Sequence, residues 1–344
     1  MQVNLKSGHP RRRWLARASA GLLVAGVSVA TAASVAASTP ASGKATKTVR
    51  VAYLSFAVAN SYDAPMLAAA KSVAKAKNAK VTVFDAANDP KKQLSQLTTI
   101  ATSKQYDAII VQPIFGPQLI SKIKSVIASG IQVVNMDQIL GTNPATAAPP
   151  VPKMAGNIVF VQSQIGRKQG GLVVDACSAL NANPCKVGYL YSVKVSSLDT
   201  AIRKGFDAVT AGQNIQVVAE GETFYNPANA LKAAQTMLQA QPDMNVIVGA
   251  DQGATGAQQA LNGKKITLIG YGGGGVGLQA VASGAWYGTV MQRPATEGKL
   301  AMQCAIDAVR TGKKCGGVDV LKDLLNGGIV TKANASKFKA EWPG

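Results

Sequence analysis

From residue 48 to residue 311, short runs rich in β-branched and aromatic side chains alternate with longer stretches whose apolar residues recur every three or four positions. No other feature constrains the fold as strongly, because strands alternating with helices build right-handed βαβ units and parallel sheets covered on both faces. "TVRVAYLSF" (48–56) is a continuous run suited to a buried strand, and "SYDAPMLAAAKSVAKAK" (61–77) carries one apolar helical face. Strand "KVTVFDA" leads to helix "DPKKQLSQLTTIATSK", where Asp89 is placed to cap and Pro90 occupies the first turn. Strand "DAIIVQPI", helix "GPQLISKIKSVIASG" and strand "IQVVNMD" complete the first half.

The second half repeats the pattern. A helix over 165–181 precedes strand "CKVGYLY", helix "DTAIRKGFDAVTAG" and strand "IQVVAEGE". Helix "NPANALKAAQTMLQAQ", strand "NVIVGAD", a helix over 252–262 and strand "KITLIG" follow. The short helix "GLQAVASG", strand "YGTVMQ" and a long helix over 294–311 close the series. About ten strands over roughly 300 residues exceed one ordinary core, so two α/β lobes of similar architecture are expected. Between the halves, the proline-rich stretch 141–156 reads as a surface excursion near a lobe boundary.

The N-terminus has a basic front, an apolar Ala/Val/Leu stretch and small residues before a Ser/Pro-rich segment, the layout of a secretory signal peptide. Cleavage after Ala32 or after Ala37 fits the small-residue rule. We take 1–37 as the signal and 38–47 as a linker. "RRRWLA" resembles a twin-arginine export signal, although Pro10 stands where that pattern prefers Ser or Thr, so the ordinary unfolded route stays open. Of the 36 basic side chains five leave with the signal, so 31 remain against 17 acidic, a net charge of +14. The lysines are scattered singly or in pairs, without the arginine and aromatic clusters of a nucleic-acid patch, so no nucleic-acid partner is expected.

The only histidine, His9, lies inside the signal. The mature chain therefore has no Ser-His-Asp, Cys-His or zincin machinery and lacks the commonest metal ligand. No catalytic residue, metal or cofactor is expected. The four cysteines lack C-x-x-C spacing, and in an exported chain their proximity pairs Cys177 with Cys185 and Cys304 with Cys315. Each such link would stabilise by about 2–3 kcal/mol on the chain-entropy estimate.

"GYGGGGVG" (270–277), between a strand and a helix, satisfies G-x-G-x-x-G and raises the possibility of a dinucleotide loop. Such a site also wants an acidic residue about 20 positions on, at the end of the next strand, to hold the ribose. That strand ends in "VMQRP" and offers none. The glycines are better read as giving the turn its backbone angles or letting backbone approach a ligand.

Taken in order, several motifs resemble the ribose-type (type I) periplasmic sugar-binding proteins, the solute receptors of ABC importers. "VAYLSFAVANSYDAPMLAAA" resembles the family's first strand, ligand loop and helix, with Asn60 and Tyr62 where the family has Asn and an aromatic. "FDAANDPKKQLSQLTTIATSKQYDAIIVQP" resembles its second helix and third strand, and "SGIQVVNMDQ" the strand ending in a pocket Asp, here Asp137. "GAD" (249–251) precedes a helix as the family's motif does, "TLIGYG" replaces its V-G-F-D, and "TVMQRP" its T-x-x-Q-x-P. The resemblance covers residues 48 to 312.

The resemblance implies two doubly wound parallel-sheet lobes joined by a hinge of crossing strands, 48–162 plus 293–318 and 163–292 plus 319–344. It implies a monomeric receptor that closes on a small solute at the carboxyl ends of its strands and presents it to a membrane permease. Asp137 then accepts hydrogen bonds from ligand hydroxyls, Gln292 both donates and accepts, and Tyr62 and Tyr225 stack on a sugar ring. Asp63, Gln112 and Asp251 sit on the same side, Asp251 doubling as a helix N-cap. Gly272 stands where the family has a second pocket Asp, Ala250 where it has Asn, and its hydroxyl-clamping Arg falls near Thr200 or Ile202, one off from Arg203. A less polar, larger pocket for a polyol, a substituted sugar, a signalling furanose or a partly apolar solute is expected. The alternatives are an exported nucleotide-binding enzyme using the 270–277 loop, the sensing core of a regulator, and a receptor feeding a sensor kinase. Against the second, the chain opens with a signal where such regulators carry a helix-turn-helix. Neighbouring genes for a permease or a kinase would separate the two receptors.

Overall fold

The computed structural model describes residues 47–344. The signal peptide expected over 1–37, and the expected linker except Lys47, lie outside the described residues. In chain order the first half comprises β1 (Val49–Ser55), α1 (Asp63–Ala76), β2 (Ala79–Asp85), α2 (Pro90–Ser103), β3 (Ala108–Val111), α3 (Gly116–Ala128), β4 (Gln132–Asp137) and β5 (Gly156–Val159). Next come α4 (Gln162–Ala179), β6 (Cys185–Tyr191), α5 (Ser197–Thr210), β7 (Ile215–Glu222), α6 (Pro227–Ala240) and β8 (Val246–Val248). The rest is α7 (Asp251–Ala260), β9 (Thr267–Ile269), α8 (Gly275–Ser283), β10 (Gly288–Val290), α9 (Pro294–Thr311), β11 (Gly316–Asp319) and β12 (Ile329–Thr331).

Within the described residues these strands form two six-stranded sheets, ordered β11-β5-β4-β3-β1-β2 and β12-β10-β9-β8-β6-β7. The first is parallel throughout, and the second is parallel except where β12 runs against β10. The chain passes from the first sheet to the second after β5, returns after β10, and crosses again between β11 and β12. β11 and β12 escape sequence reading because they are short and Gly- or Val-containing, without an amphipathic partner helix. The run "NIVFVQ" yields a strand only to Val159, since α4 begins at Gln162 and uses the remainder as its entry.

The first sheet is covered on both faces, as its continuous apolar strands require. Ala52, Leu54, Ile109 and Val111 pack with Leu97 of α2 and Leu119 and Ile123 of α3. Val51, Tyr53 and Ile110 face Met66 of α1 and Met302 of α9. Local chemistry starts the helices where the sequence says. The Asp89 carboxylate accepts hydrogen bonds from the Lys91 and Lys92 amides, with Pro90 at the first position. Asn226 does the same for α6 ahead of Pro227, and the Ser196 hydroxyl caps α5 through the Asp199 amide. Cys177 pairs with Cys185, tying α4 to the start of β6, and Cys304 pairs with Cys315, tying α9 to the approach to β11.

Candidate ligand-binding cleft

Parallel sheets collect ligands at the carboxyl ends of their strands, where loops diverge and helix N-termini point inward. Here β1, β3, β4 and β5 of one sheet and β6, β7, β8, β9 and β10, from or beside the other, all contribute residues from that end to one cavity. Its free volume is about 20 Å³, little more than one water needs. Across it, Phe56, Ala57, Ala86 and Ile114 from the first sheet's loops pack with Val193 from the loop after β6. Phe56 also meets Tyr225 edge-on, with centroids 6.2 Å apart. The two halves are therefore clasped by apolar contact at the cleft's lip.

Seven of the eight residues anticipated from sequence line this cavity: Asn60, Tyr62 and Asp63, then Gln112, Asp137, Tyr225 and Gln292. The Asn60 side chain accepts from the Tyr62 amide and shapes the turn into α1. The Gln112 amide nitrogen donates to Asp63 Oδ1 at 2.7 Å and to Asp137 Oδ2 at 2.8 Å, while its oxygen accepts from the Phe56 amide. Gln138 donates to the same Asp137 oxygen at 2.9 Å. The Tyr62 hydroxyl reaches Asp137 Oδ1 at 3.4 Å and Glu297 Oε2 at 3.3 Å, one hydrogen between two carboxyl groups.

Burial dominates the electrostatics. It raises Asp63 and Glu297 well above the ordinary carboxyl range, and the neighbouring Asp137 charge pushes both further. Asp137 is lifted to about 6 by burial, although hydrogen bonds from Gln112, Gln138 and Tyr62 favour its charged form. Among the described residues, none of those lining the cavity is Lys, Arg or His. Arg203, the near match to the family's clamping Arg, is bonded instead to Asp207, Glu220 and the Tyr191 hydroxyl.

Two lining residues hold unusual backbone. Asp137 has φ of 64° and Tyr225 φ of 53°, with Phe224 beside it at 52°. Asp tolerates the left-handed region, whereas bulky aromatics seldom enter it, and such conformations collect at binding sites. Three polar atoms in the cavity's wall are buried without a partner, Gln138 Oε1, Gln252 Nε2 and the Tyr225 hydroxyl. Buried polar groups are normally satisfied, so atoms of this kind facing a cavity are candidate contacts for a ligand or an ordered water.

Asp251 is not among the lining residues. Its Oδ1 accepts from the Thr289 hydroxyl at 2.7 Å and its Oδ2 from the Gly274 amide at 2.9 Å, so it braces the glycine loop from behind. Tyr271, within that loop, does line the cavity. Further amides of the loop are also spent. The Gly275 and Val276 amides at the start of α8 donate to the Trp342 and Pro343 carbonyls, both at 2.9 Å, and the Gly272 amide donates to the Val290 carbonyl. A pyrophosphate would need those same N–H groups. The loop receives the chain's own C-terminal segment, which disfavours the nucleotide-enzyme reading.

That segment also alters the pocket. Trp342 lines the cavity, donates from Nε1 to the Gly272 carbonyl at 2.8 Å, and meets the Tyr62 ring edge-on at 5.4 Å. A Cβ on Gly272 would lie 2.6 Å from the indole. Where the resemblance places a second pocket Asp, this chain has a glycine that makes room for tryptophan. The enlargement expected from the missing side chain is consequently absent, because the indole takes up the space. Sequence reading missed Trp342, Gln138, Gln252, Phe56, Phe160, Leu198 and Tyr271 in the wall, and Glu297 behind it. Most sit at strand ends, a signal that could have flagged them; nothing local marks Trp342 or Glu297.

With this geometry in place, the chain's relatives are informative. A profile described as a periplasmic binding protein domain matches residues 51–314. The ribose import binding protein RbsB of Bacillus subtilis is 27% identical over 244 residues, covering 70% of this chain and 75% of that protein. The D-apiose import binding protein of Paraburkholderia graminis is 26% identical over 305 residues, covering 86% and 92%. Among solved structures, an ABC transporter solute binding protein from Mycobacterium smegmatis with bound glycerol superimposes with a TM-score of 0.72 at 23% identity, over 87% of this chain and all of that one. The chain belongs to the periplasmic binding protein family, in its type I, ribose-like branch.

Proposed function

We propose that this protein is the solute receptor of an ABC importer, capturing a small sugar-like or polyol ligand between its two sheets and handing it to a membrane permease without chemical change. The carrying observation is one cavity walled from both sheets, with unpartnered polar atoms on opposite sides: Gln138 Oε1 after β4 and Gln252 Nε2 after β8. A ligand contacting both sides favours the closed arrangement, so binding shifts an open–closed equilibrium by its differential affinity. The relatives' names, ribose and D-apiose import binding proteins, support the ligand class and the permease partner.

In this reading Asp63 and Asp137 are hydrogen-bond acceptors for the ligand, Asn60 and Gln292 are further polar contacts, and Tyr62 and Tyr225 supply aromatic surface. The lobes are 48–162 plus 293–318 and 163–292 plus 319–344, with the crossings between them as hinge. Residues 1–37 direct export, by the twin-arginine route or the ordinary unfolded one, and are then removed, and the cysteine pairs are oxidised outside the cytoplasm. The test is a thermal-shift panel of pentoses, hexoses, apiose and cyclic and linear polyols, followed by calorimetry on the hits. We expect one-to-one binding and recovery of the solute unchanged; turnover, or binding by no member, would refute the reading.

A further inference from the structure

The cleft's charge and hydrogen-bond balance is lopsided, and the imbalance specifies more than a sugar. Asp63 and Asp137 line it with no basic side chain in the wall, and Glu297 lies behind Tyr62. Two arginines of the neighbouring elements are committed elsewhere, Arg203 to Asp207 and Glu220 and Arg293 to Glu341. The charges acting on the cluster are themselves acidic: Asp85 on Asp63, and Glu341 and Asp319 on Glu297. Buried carboxylates without an opposite charge are costly, and this one-sided set lacks the counter-charge that would relieve the cost.

Hydrogen bonding points the same way. Gln112 spends its amide hydrogens on Asp63 and Asp137, and Gln138 spends one of its own on Asp137. What this side leaves for a ligand is weighted to acceptors, the carboxylates and the unpartnered Gln138 Oε1, with only the amide hydrogens of Asn60 and the second one of Gln138 left to donate. A neutral hydroxyl both donates and accepts, whereas an ammonium only donates. Six aromatic residues, Phe56, Tyr62, Phe160, Tyr225, Tyr271 and Trp342, complete the wall, and aromatic faces attract cations. Among the described residues no three His, Cys, Asp or Glu side chains are grouped as a metal ion requires, since the carboxyls are linked through Gln112 and Tyr62. On the opposite side Gln252 Nε2 is a donor without an acceptor.

Resting on the receptor reading above, we propose that the solute carries a protonated amine: an amino sugar or aminated polyol whose ammonium sits against Asp63, Asp137 and Gln138 and whose oxygens face Gln252. The experiment is calorimetry at about pH 7.5 with matched pairs, D-glucosamine against D-glucose, D-galactosamine against D-galactose, and 1-amino-1-deoxysorbitol against sorbitol. At least one amine should bind about tenfold or more tighter than its hydroxyl partner, the difference expected of one charge-assisted hydrogen bond. N-acetylation should abolish that preference, and Asp137→Asn, which keeps the side chain's shape, should reduce it severalfold. Equal or tighter binding of the neutral partners would overturn the amine while leaving the sugar receptor standing. Binding of none, with a neutral pentose, apiose or cyclic polyol of the wider panel bound instead, would likewise overturn the amine and leave the receptor standing. If Asp137→Asn fails to fold, Asp63→Asn supplies the same comparison, and an undiminished preference in the folded variant would count against the proposal.

Discussion

Replacing Trp342 tests whether the C-terminal segment belongs to the cleft. The indole is 4% exposed, donates to the Gly272 carbonyl, and packs edge-on against Tyr62. Truncating a buried Trp to Ala costs about 3–5 kcal/mol, combining lost burial with the cavity left behind. The buried Gly272 carbonyl would also lose its only indole donor, already within that range. For a chain of this size each kcal/mol moves the melting midpoint by about 2 °C, so Trp342→Ala should lower it by roughly 6–10 °C. Trp342→Phe keeps most of the apolar area and removes the N–H, so about 1–2 kcal/mol, or roughly 2–4 °C, is expected. Differential scanning calorimetry with and without a bound panel sugar gives both numbers, and Trp342→Ala should additionally weaken binding. Midpoints within about 1 °C of the parent for both variants, with unchanged affinity, would refute the placement of Trp342 between the glycine loop and Tyr62.

Asp137 and Asp251 should separate cleanly. Asp137→Ala should weaken ligand binding more than tenfold with the fold retained, read by titration calorimetry. Asp251→Ala, which strands the Thr289 hydroxyl and the Gly274 amide, should cost about 2–5 kcal/mol of stability in a denaturant melt. Stability of the unliganded protein should fall as pH rises from about 4 through 6, because burial lifts Asp137, Asp199 and Asp251 to about 6 and their protonated forms are the ones the fold favours. A flat or rising profile across that window would contradict those shifts. Non-reducing peptide mapping should recover Cys177 with Cys185 and Cys304 with Cys315, and crossed pairs or free thiols would show the pairing wrong.

Sequence legibility followed the range of the forces involved. Helix starts at Asp89-Pro90 and Asn226-Pro227 were readable because capping is settled within a few residues. The cleft's acidic side was readable because Asp63, Gln112 and Asp137 end strands or start helices in a recognisable order. Asp251 carried the same local signature yet turned inward, since what decides its partner is the glycine loop 23 residues away. Glu297 reaches Tyr62 across 235 positions, and Trp342 is bonded 70 positions away. Contacts of that span depend on how the sheets, α9 and the C-terminal segment come together, and no local pattern records it. The positive φ of Tyr225 is hidden likewise, because nothing in "TFYNP" singles out a left-handed aromatic.

The receptor reading stands or falls on whether the two sheets swing together over a guest. Small-angle X-ray scattering with a calorimetrically confirmed panel ligand measures this directly, against about 19 Å expected for a compact chain of roughly 300 residues. We expect the radius of gyration to start above that value and fall to it as ligand saturates one site. A radius indifferent to a saturating ligand would contradict capture by closure.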